Sequence, residues 1–219
     1  MMKNKKPLEQ RSYLCEVRSE KREESGNAII KGRPIVYESK TDLGLFDEII
    51  EKGALDDADL TDVRFLINHD LSRIPIARSR RNNGNSTMKL TPDAEGMEIN
   101  AEIDIQNNSD ARSLNSAVER GDISGMSFMF TIDDEEWENL ETEHPLRRIK
   151  KIGAVIEVSA VTFPAYTDTS IQSRGAEVLE SARAALDRAK EQRADIDSLE
   201  SEKDNIELLK LKNIILGGF

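Results

Sequence analysis

The chain contains two histidines, His69 and His144, and histidine is the side chain that exchanges a proton near neutral pH. His69 follows the apolar run Phe65-Leu66-Ile67, where a predicted buried strand ends, and strand ends that lead into loops often present reactive groups. His144 stands beside Pro145 in an acidic stretch and is predicted to be a surface residue. From its position alone, a structural histidine at a strand end is the simpler interpretation of His69, and a role as a base would need a partner from elsewhere in the chain.

A serine becomes a nucleophile when a base lies within hydrogen-bond reach and a third group orients that base. Residues 121–130 contain two serines, Ser124 and Ser127, beside Gly125, which would let a substrate backbone approach closely. The segment lacks the glycine two places after the serine that the GxSxG elbow needs. From the residues alone, Ser127 is more simply explained as a small residue that alternates with apolar neighbours on a strand.

Glu157 lies inside the apolar segment Ile156-Glu157-Val158-Ser159, where an unpaired charge would be costly and must find a partner or a proton. It is therefore the best candidate for the group that orients His69. The alternative is a carboxylate at a sheet edge that pairs with Arg147 or Arg148.

The charge balance argues against a nucleic-acid partner. The chain has 42 acidic and 31 basic residues, a net charge of -11, and lacks the basic excess that phosphate binding requires. A single cysteine, Cys15, excludes an internal disulfide and gives no zinc signature. No segment approaches the roughly 20 apolar residues of a membrane span. We expect no cofactor, no metal and no membrane association.

Hydrophobic periodicity predicts a strand-rich α+β fold. Two hairpins are expected, one between Tyr13 and Tyr37 with its turn at residues 23–27, and one joining residues 88–91 to 97–105. Further predicted elements are a buried strand at 60–68, a helix at 109–120 capped by Ser109, a strand at 123–132, an acidic loop at 133–143, a strand pair at 147–163 and a long helix at 176–216.

Three regions are predicted along the chain. Residues 1–12 are charged and read as a flexible leader, residues 13–172 as the main domain, and residues 173–219 as a helical tail. Apolar residues recur at heptad spacing in the tail, but lysine and arginine interrupt the seam. The tail is therefore a weak coiled coil, a scaffold-docking helix or a solvated helix with no specific role.

Four segments in this order and spacing resemble the HK97-type family of phage prohead proteases, which are capsid maturation proteases of the serine type. The segments are residues 46–55, Asn68-His69-Asp70, residues 125–130 and residues 157–166, and the resemblance covers about residues 13–172. The family is distantly similar to the herpesvirus assembly proteases. The resemblance implies a β-barrel-like core wrapped by helices.

The resemblance also implies the roles of the site residues. His69 would be the general base, Ser127 the nucleophile and Glu157 the third member, with Ser124 as the alternative nucleophile. In the herpesvirus group a second histidine takes the third role. His144 is the one residue here that could do so, and its acidic, proline-flanked loop argues against it.

The implied activity is that of a serine endopeptidase that cleaves the major capsid protein precursor and its scaffold region inside the immature prohead, in the host cytoplasm or, for a prophage, in a bacterial cytoplasm. Self-cleavage and self-association are also implied. One alternative is a non-catalytic scaffold or assembly protein that acts through the C-terminal helix. Another is an unrelated acidic binding module, which predicts that His69 and Ser127 lie far apart.

Overall fold

The computed structural model of the chain describes residues 7–22, 25–162 and 176–216. The chain divides into two compact units, the first ending at Ala182 and the second starting at Arg183.

Within the described residues the first unit consists mainly of β-strands. The strands, in chain order, are β1 Glu9–Leu14, β2 Arg18–Lys21, β3 Ala28–Val36, β4 Thr41–Asp42, β5 Asp47–Ile50, β6 Arg64–Ile67, β7 Ala77–Arg78, β8 Met88–Asp93, β9 Gly96–Ile103, β10 Gly125–Glu138 and β11 Leu146–Val161. Helix α1 spans Ser109–Glu119, and helix α2 spans Ala176–Leu216. The described residues of the second unit all belong to α2. Among the helices in the described ranges, none is long and apolar enough to cross a membrane.

The strands form two sheets that share one hydrophobic core. The larger sheet has the order β1-β10-β11-β5-β4, and β6 and β7 extend it where β6 pairs with β11. The smaller sheet has the order β2-β3-β9-β8. Phe128 and Val158 of the larger sheet and Ile30 and Ile99 of the smaller one are fully buried in the same core. The strand-rich α+β class predicted from the sequence is confirmed.

Both predicted hairpins are present, but the residues predicted as the start of the first hairpin pair with a different strand. Strand β2 pairs with β3 and β8 pairs with β9, both antiparallel, on either side of the expected turns. The residues from Tyr13 onward, however, do not form one continuous first strand. Strand β1 pairs with β10 of the larger sheet, while β2 belongs to the smaller sheet.

Strand β1 starts at Glu9, so the predicted leader is wrong for residues 9–12. These charged residues looked solvated, but Glu9 is 3% exposed and Arg11 is 1% exposed. Arg11 donates from Nε to Glu48 Oε1 at 2.6 Å and from a terminal nitrogen to Glu9 Oε2 at 2.7 Å. A charge buried in this way needs a partner from a distant strand, which the local sequence does not reveal.

The acidic stretch predicted as a loop is instead the second half of β10, which continues to Glu138. Its acidic side chains form ion pairs with basic residues of β11, including Glu136 with Lys150 and Glu138 with Arg148. The predicted strand pair at 147–163 is one continuous strand of 16 residues. Cross-strand pairing between unlike charges offsets the low strand propensity of the acidic residues.

Helix α1 matches the prediction at both ends. Asn108 caps it, rather than Ser109, by accepting hydrogen bonds from the backbone N–H groups of Asp110 and Ala111. Gly121 follows the helix with a positive φ of 77°. Helix α2 has the predicted bounds, and the proposed role of the tail stays a prediction.

The buried charge cluster of Glu9, Arg11, Glu48 and Arg147 makes stability depend on pH. Burial by itself raises the pKa of the Glu9 carboxyl, but the hydrogen bond from Arg147 and the positive charge of Arg11 outweigh it and lower the pKa from 4.5 to about 2. A carboxyl with a lowered pKa stabilises the fold above its unfolded value, and this contribution is lost as the pH falls from about 4.5 towards about 2. The full effect is about 3 kcal/mol.

We therefore expect the free energy of unfolding, measured by urea titration at a series of pH values, to fall steeply below about pH 4.5. Glu9→Gln should flatten this acid dependence. Glu20→Gln is the control, because Glu20 is 55% exposed and pairs with Lys31 at the surface. An acid dependence that is the same in Glu9→Gln and in the unsubstituted protein would contradict the prediction.

Candidate active site

His69 follows the end of β6, a short strand that runs parallel to β11. Asn68 and His69 have positive φ angles of 51° and 59°, a conformation that residues other than glycine seldom adopt. The Asn68 side chain holds this turn, since its Oδ1 accepts the Thr162 N–H at 2.9 Å and its Nδ2 donates to Thr162 Oγ1 at 3.0 Å. Strands β6 and β11, together with the hydrogen bonds between Asn68 and Thr162, therefore hold the backbone that carries the His69 imidazole.

His69 lies against Glu157, the carboxylate in the middle of β11. His69 Nδ1 is 2.6 Å from Glu157 Oε1, and Glu157 is fully buried. A carboxylate can only accept, so Nδ1 carries the proton and donates it. Arg147 and Arg148, the alternative partners of Glu157, bind other carboxylates. Arg147 binds Glu9 and Glu135, and Arg148 binds Glu138.

The second ring nitrogen of His69, Nε2, is buried and has no hydrogen-bond partner among the described residues. A buried nitrogen without a partner is unfavourable and uncommon in folded proteins. With Nδ1–H donating to Glu157, Nε2 carries the lone pair and is the atom that can accept a proton.

Ser127 lies on β10, the strand next to β11, and is paired directly with Ser159 in the antiparallel register. Directly opposed residues of an antiparallel pair have their side chains on the same face, with Cβ atoms about 4.5–5.5 Å apart. Ser127 therefore shares the face of Ser159 and Glu157, whereas its neighbours Met126 and Phe128 face the core.

The Ser127 hydroxyl is fully buried and donates to the backbone carbonyl of Arg11 on β1 at 2.7 Å. It is thus not hydrogen-bonded to His69 Nε2 in this structure. Ser124, the alternative nucleophile, lies before the first residue of β10, and its backbone carbonyl accepts a hydrogen bond from Cys15 N at 3.2 Å. Register therefore favours Ser127 over Ser124 as the serine of this face.

The sequence pattern does not single out Ser159 as a site residue, yet its side chain contacts both Glu157 and His69. Its hydroxyl donates to Glu157 Oε2 at 2.6 Å and accepts the His69 backbone N–H at 3.1 Å. The available signal was its position two residues after Glu157, which puts both side chains on one face of a strand.

His144 is separate from this group and exposed, as predicted. Its Nε2 lies 3.2 Å from Asp47 Oδ1, and its side chain is 43% exposed. Asp47 pairs with Leu146 at the first residue of β11. Glu157 lies much further along that strand, at about 3.3 Å per residue, so His144 is distant from Glu157.

The arrangement of His69 and Glu157 is one that is known from hydrolytic enzymes. An imidazole whose Nδ1–H is held by a buried carboxylate is the base-and-orienting-group part of the constellation that serine hydrolases use. The serine-to-imidazole hydrogen bond that would complete it is not made here, because Ser127 donates to Arg11. The full constellation recurs on unrelated folds, so it is recognised by geometry rather than by sequence position.

Comparison with known proteins identifies the family. The model of the caudovirus prohead serine protease family matches residues 15–183, well over half of the chain. The chain belongs to this family, and a protease role in phage head maturation follows from that membership.

Among solved structures, the capsid assembly protease gp21 of bacteriophage T4 aligns with a TM-score of 0.35 and 12% sequence identity, over 69% of this chain and 98% of that one. A search of curated proteins finds no match.

Proposed function

We propose that the chain is a serine endopeptidase in which Ser127 is the nucleophile, His69 the general base and Glu157 the group that orients His69. The observation that carries this proposal is the His69 ring, held through Nδ1 by buried Glu157 and left with an unpartnered Nε2. A proton-accepting nitrogen kept free of partners is what a general base requires. Ser127, on the strand next to that of Glu157 and on the same face as Glu157, is the candidate donor.

In this mechanism Ser127 Oγ attacks the scissile carbonyl while its proton moves to His69 Nε2. The resulting imidazolium is stabilised by Glu157, whose charge is already buried beside Nδ1. The imidazolium then gives its proton to the leaving amine, which departs as the acyl-enzyme forms. Water attacks the acyl-enzyme with His69 again as the base, and Ser127 is regenerated.

Ser127 needs one local rearrangement before it can act. Its hydroxyl must leave the Arg11 carbonyl and reach Nε2, and its side chain must become accessible to a peptide. The described arrangement is therefore a resting one. Rotation about the Cα–Cβ bond of serine moves Oγ between staggered positions without backbone change.

The proposed substrates are the precursor of the major capsid protein, with its scaffold region, and the chain itself. The support is family membership. The proposed place of action is the interior of the immature prohead. Helix α2 would serve recruitment into the shell or be removed during maturation.

A non-catalytic assembly protein is the second candidate, and one observation favours it. Ser127 is fully buried, and its hydroxyl is engaged by backbone, as for a structural serine. In that case helix α2 would act alone, through apolar residues in its second half that are about half exposed, such as Leu199 and Leu209.

Co-expression with the major capsid protein precursor of the same phage, followed by intact-mass measurement of both chains, separates the candidates. The endopeptidase proposal expects shortened precursor with the unsubstituted chain and with Ser124→Ala, and full-length precursor with Ser127→Ala. Normal trimming with Ser127→Ala would support the assembly role. Loss of trimming with Ser124→Ala alone would move the nucleophile to Ser124.

A further inference from the structure

The strand β11 carries a second hydroxyl in the candidate site, that of Ser159. Ser159 is fully buried and lies between the two strands that supply the other groups. It pairs with Ser127 of β10 on one side and with Leu66 of β6 on the other. No other residue of β11 has both Ser127 and the strand leading to His69 as direct neighbours in this register.

The Ser159 hydroxyl makes two hydrogen bonds that act on two different members of the site. The Ser159 O–H donates a hydrogen bond to Glu157 Oε2, with an oxygen–oxygen distance of 2.6 Å. The other carboxylate oxygen, Oε1, then faces His69 Nδ1, also at 2.6 Å. The Ser159 oxygen accepts the backbone N–H of His69 at 3.1 Å. One hydroxyl therefore sets the orientation of the carboxylate and the position of the histidine backbone together.

Both of these groups need such support. Glu157 is a fully buried carboxylate, and a charge in that position must be compensated by hydrogen bonds on each oxygen. His69 has a positive φ of 59°, and such a backbone persists only where its surroundings hold it. Among the described residues, the Ser159 hydroxyl is the side-chain group that accepts the His69 backbone N–H, beside the Asn68–Thr162 hydrogen bonds that hold the preceding residue.

We propose that Ser159 is a positioning residue of the catalytic site, which holds Glu157 and the His69 backbone in the geometry that leaves Nε2 free to accept a proton. This inference rests on the proposed function of His69 and Ser127. Without the Ser159 hydroxyl, Glu157 is free to rotate and the His69 turn loses a restraint. A displacement of about 1 Å of a catalytic group lowers rates by about 10²-fold.

The test compares Ser159→Ala with Ser159→Thr, which keeps a hydroxyl and suits a strand. Ser79→Ala is the matched control, since Ser79 is also fully buried and its hydroxyl accepts a backbone N–H, from Val63 at 2.9 Å, away from the site. We expect Ser159→Ala to lower the rate of precursor cleavage about 10- to 100-fold. Ser159→Thr and Ser79→Ala should stay within a few-fold of the unsubstituted chain.

A second readout does not depend on cleavage. Proton NMR of full-length chains that also carry Ser127→Ala, with isotope-labelled histidine, reports the His69 Nδ1 proton, and His144 is the only other histidine and serves as reference. We expect a strongly downfield Nδ1 signal that is lost in Glu157→Gln, shifted upfield and broadened in Ser159→Ala, and retained in Ser159→Thr.

The outcomes distinguish this inference from the proposed function. An unchanged Nδ1 signal and cleavage rate in Ser159→Ala overturns the positioning role, as does an equal loss of both in Ser79→Ala. Trimming that persists in Ser127→Ala overturns the proposed function instead, whatever the Nδ1 signal of Ser159→Ala.

Discussion

Replacing His69 and Ser127 together by alanine is expected to reduce precursor cleavage no further than replacing either one alone. Each single substitution should lower the rate by about 10⁴- to 10⁶-fold, because a serine without its base and a base without its nucleophile are equally ineffective. The losses of groups that act as one unit do not add. The geometric basis is the His69 ring, held by Glu157 and with Nε2 free, together with Ser127 on the strand next to that of Glu157 and on the same face.

The measurement is the single-turnover rate of precursor cleavage by purified chains, followed by intact mass. Ser124→Ala and His144→Ala are the matched controls, one for each residue type, and both should keep a rate close to that of the unsubstituted chain. His144 is exposed and pairs with Asp47 at the start of β11. A double variant that is slower than both singles by the product of their effects would show that the two residues act independently, and the proposed mechanism would be wrong.

Replacing Arg147 by methionine is expected to lower the free energy of unfolding by about 3–5 kcal/mol. Burial alone would lower the pKa of the Arg147 guanidinium, but its hydrogen bond to Glu9 and the charge of Glu48 raise it overall. Arg147 is 1% exposed and binds Glu9 Oε2 at 2.7 Å and Glu48 Oε2 at 3.2 Å, with a further ion pair to Glu135. Its removal leaves buried carboxylates with Arg11 as their remaining cation in the cluster.

Arg148→Met is the control for this substitution. Arg148 is the next residue on β11 but is 29% exposed and pairs with Glu138 and Glu51 near the surface. Such pairs contribute about 1 kcal/mol or less, so its loss should be small. Chemical denaturation of both variants in a Ser127→Ala background, which prevents self-cleavage, provides the measurement. Similar destabilisation by the two substitutions would show that burial of the cluster contributes little.

Destabilisation by Arg147→Met should also depend on pH. Without Arg147, Glu9 loses a hydrogen bond and one of the two positive charges that lower the pKa of its carboxyl, so that pKa rises towards its unfolded value and less stability depends on the charged form. The difference in unfolding free energy between Arg147→Met and the unsubstituted chain should therefore shrink as the pH falls below about 4.5, where Glu9 takes up a proton.

Elements with a clean periodic pattern could be predicted from the sequence. Strands β8 and β9 alternate apolar and polar residues about a glycine-containing turn, and helix α1 has regularly spaced apolar residues and a glycine at its end. Both patterns arise from local geometry, which nearby residues encode.

Elements whose charges are neutralised by distant strands could not be predicted. The first part of strand β1 and the second half of β10 have charged sequences, which by themselves predict a leader and a loop. Their partners are Glu48, Arg147 and the basic residues of β11, which only the assembled sheet brings alongside. A charged side chain is normally expected to be exposed, because burying it is favourable only when an oppositely charged partner is close. Which residue becomes that partner is decided by the tertiary structure.

For the candidate site, residue types and their local patterns were enough to predict a short list of candidates: two histidines, a carboxylate within an apolar strand and serines near a glycine-containing strand start. The strand pairing in the folded chain brings Glu157 to His69 rather than to an arginine, adds Ser159 to the group and directs the Ser127 hydroxyl to the Arg11 carbonyl. The register of β11 against β10 and β6 is fixed by packing across both sheets, which residue spacing along one segment does not record.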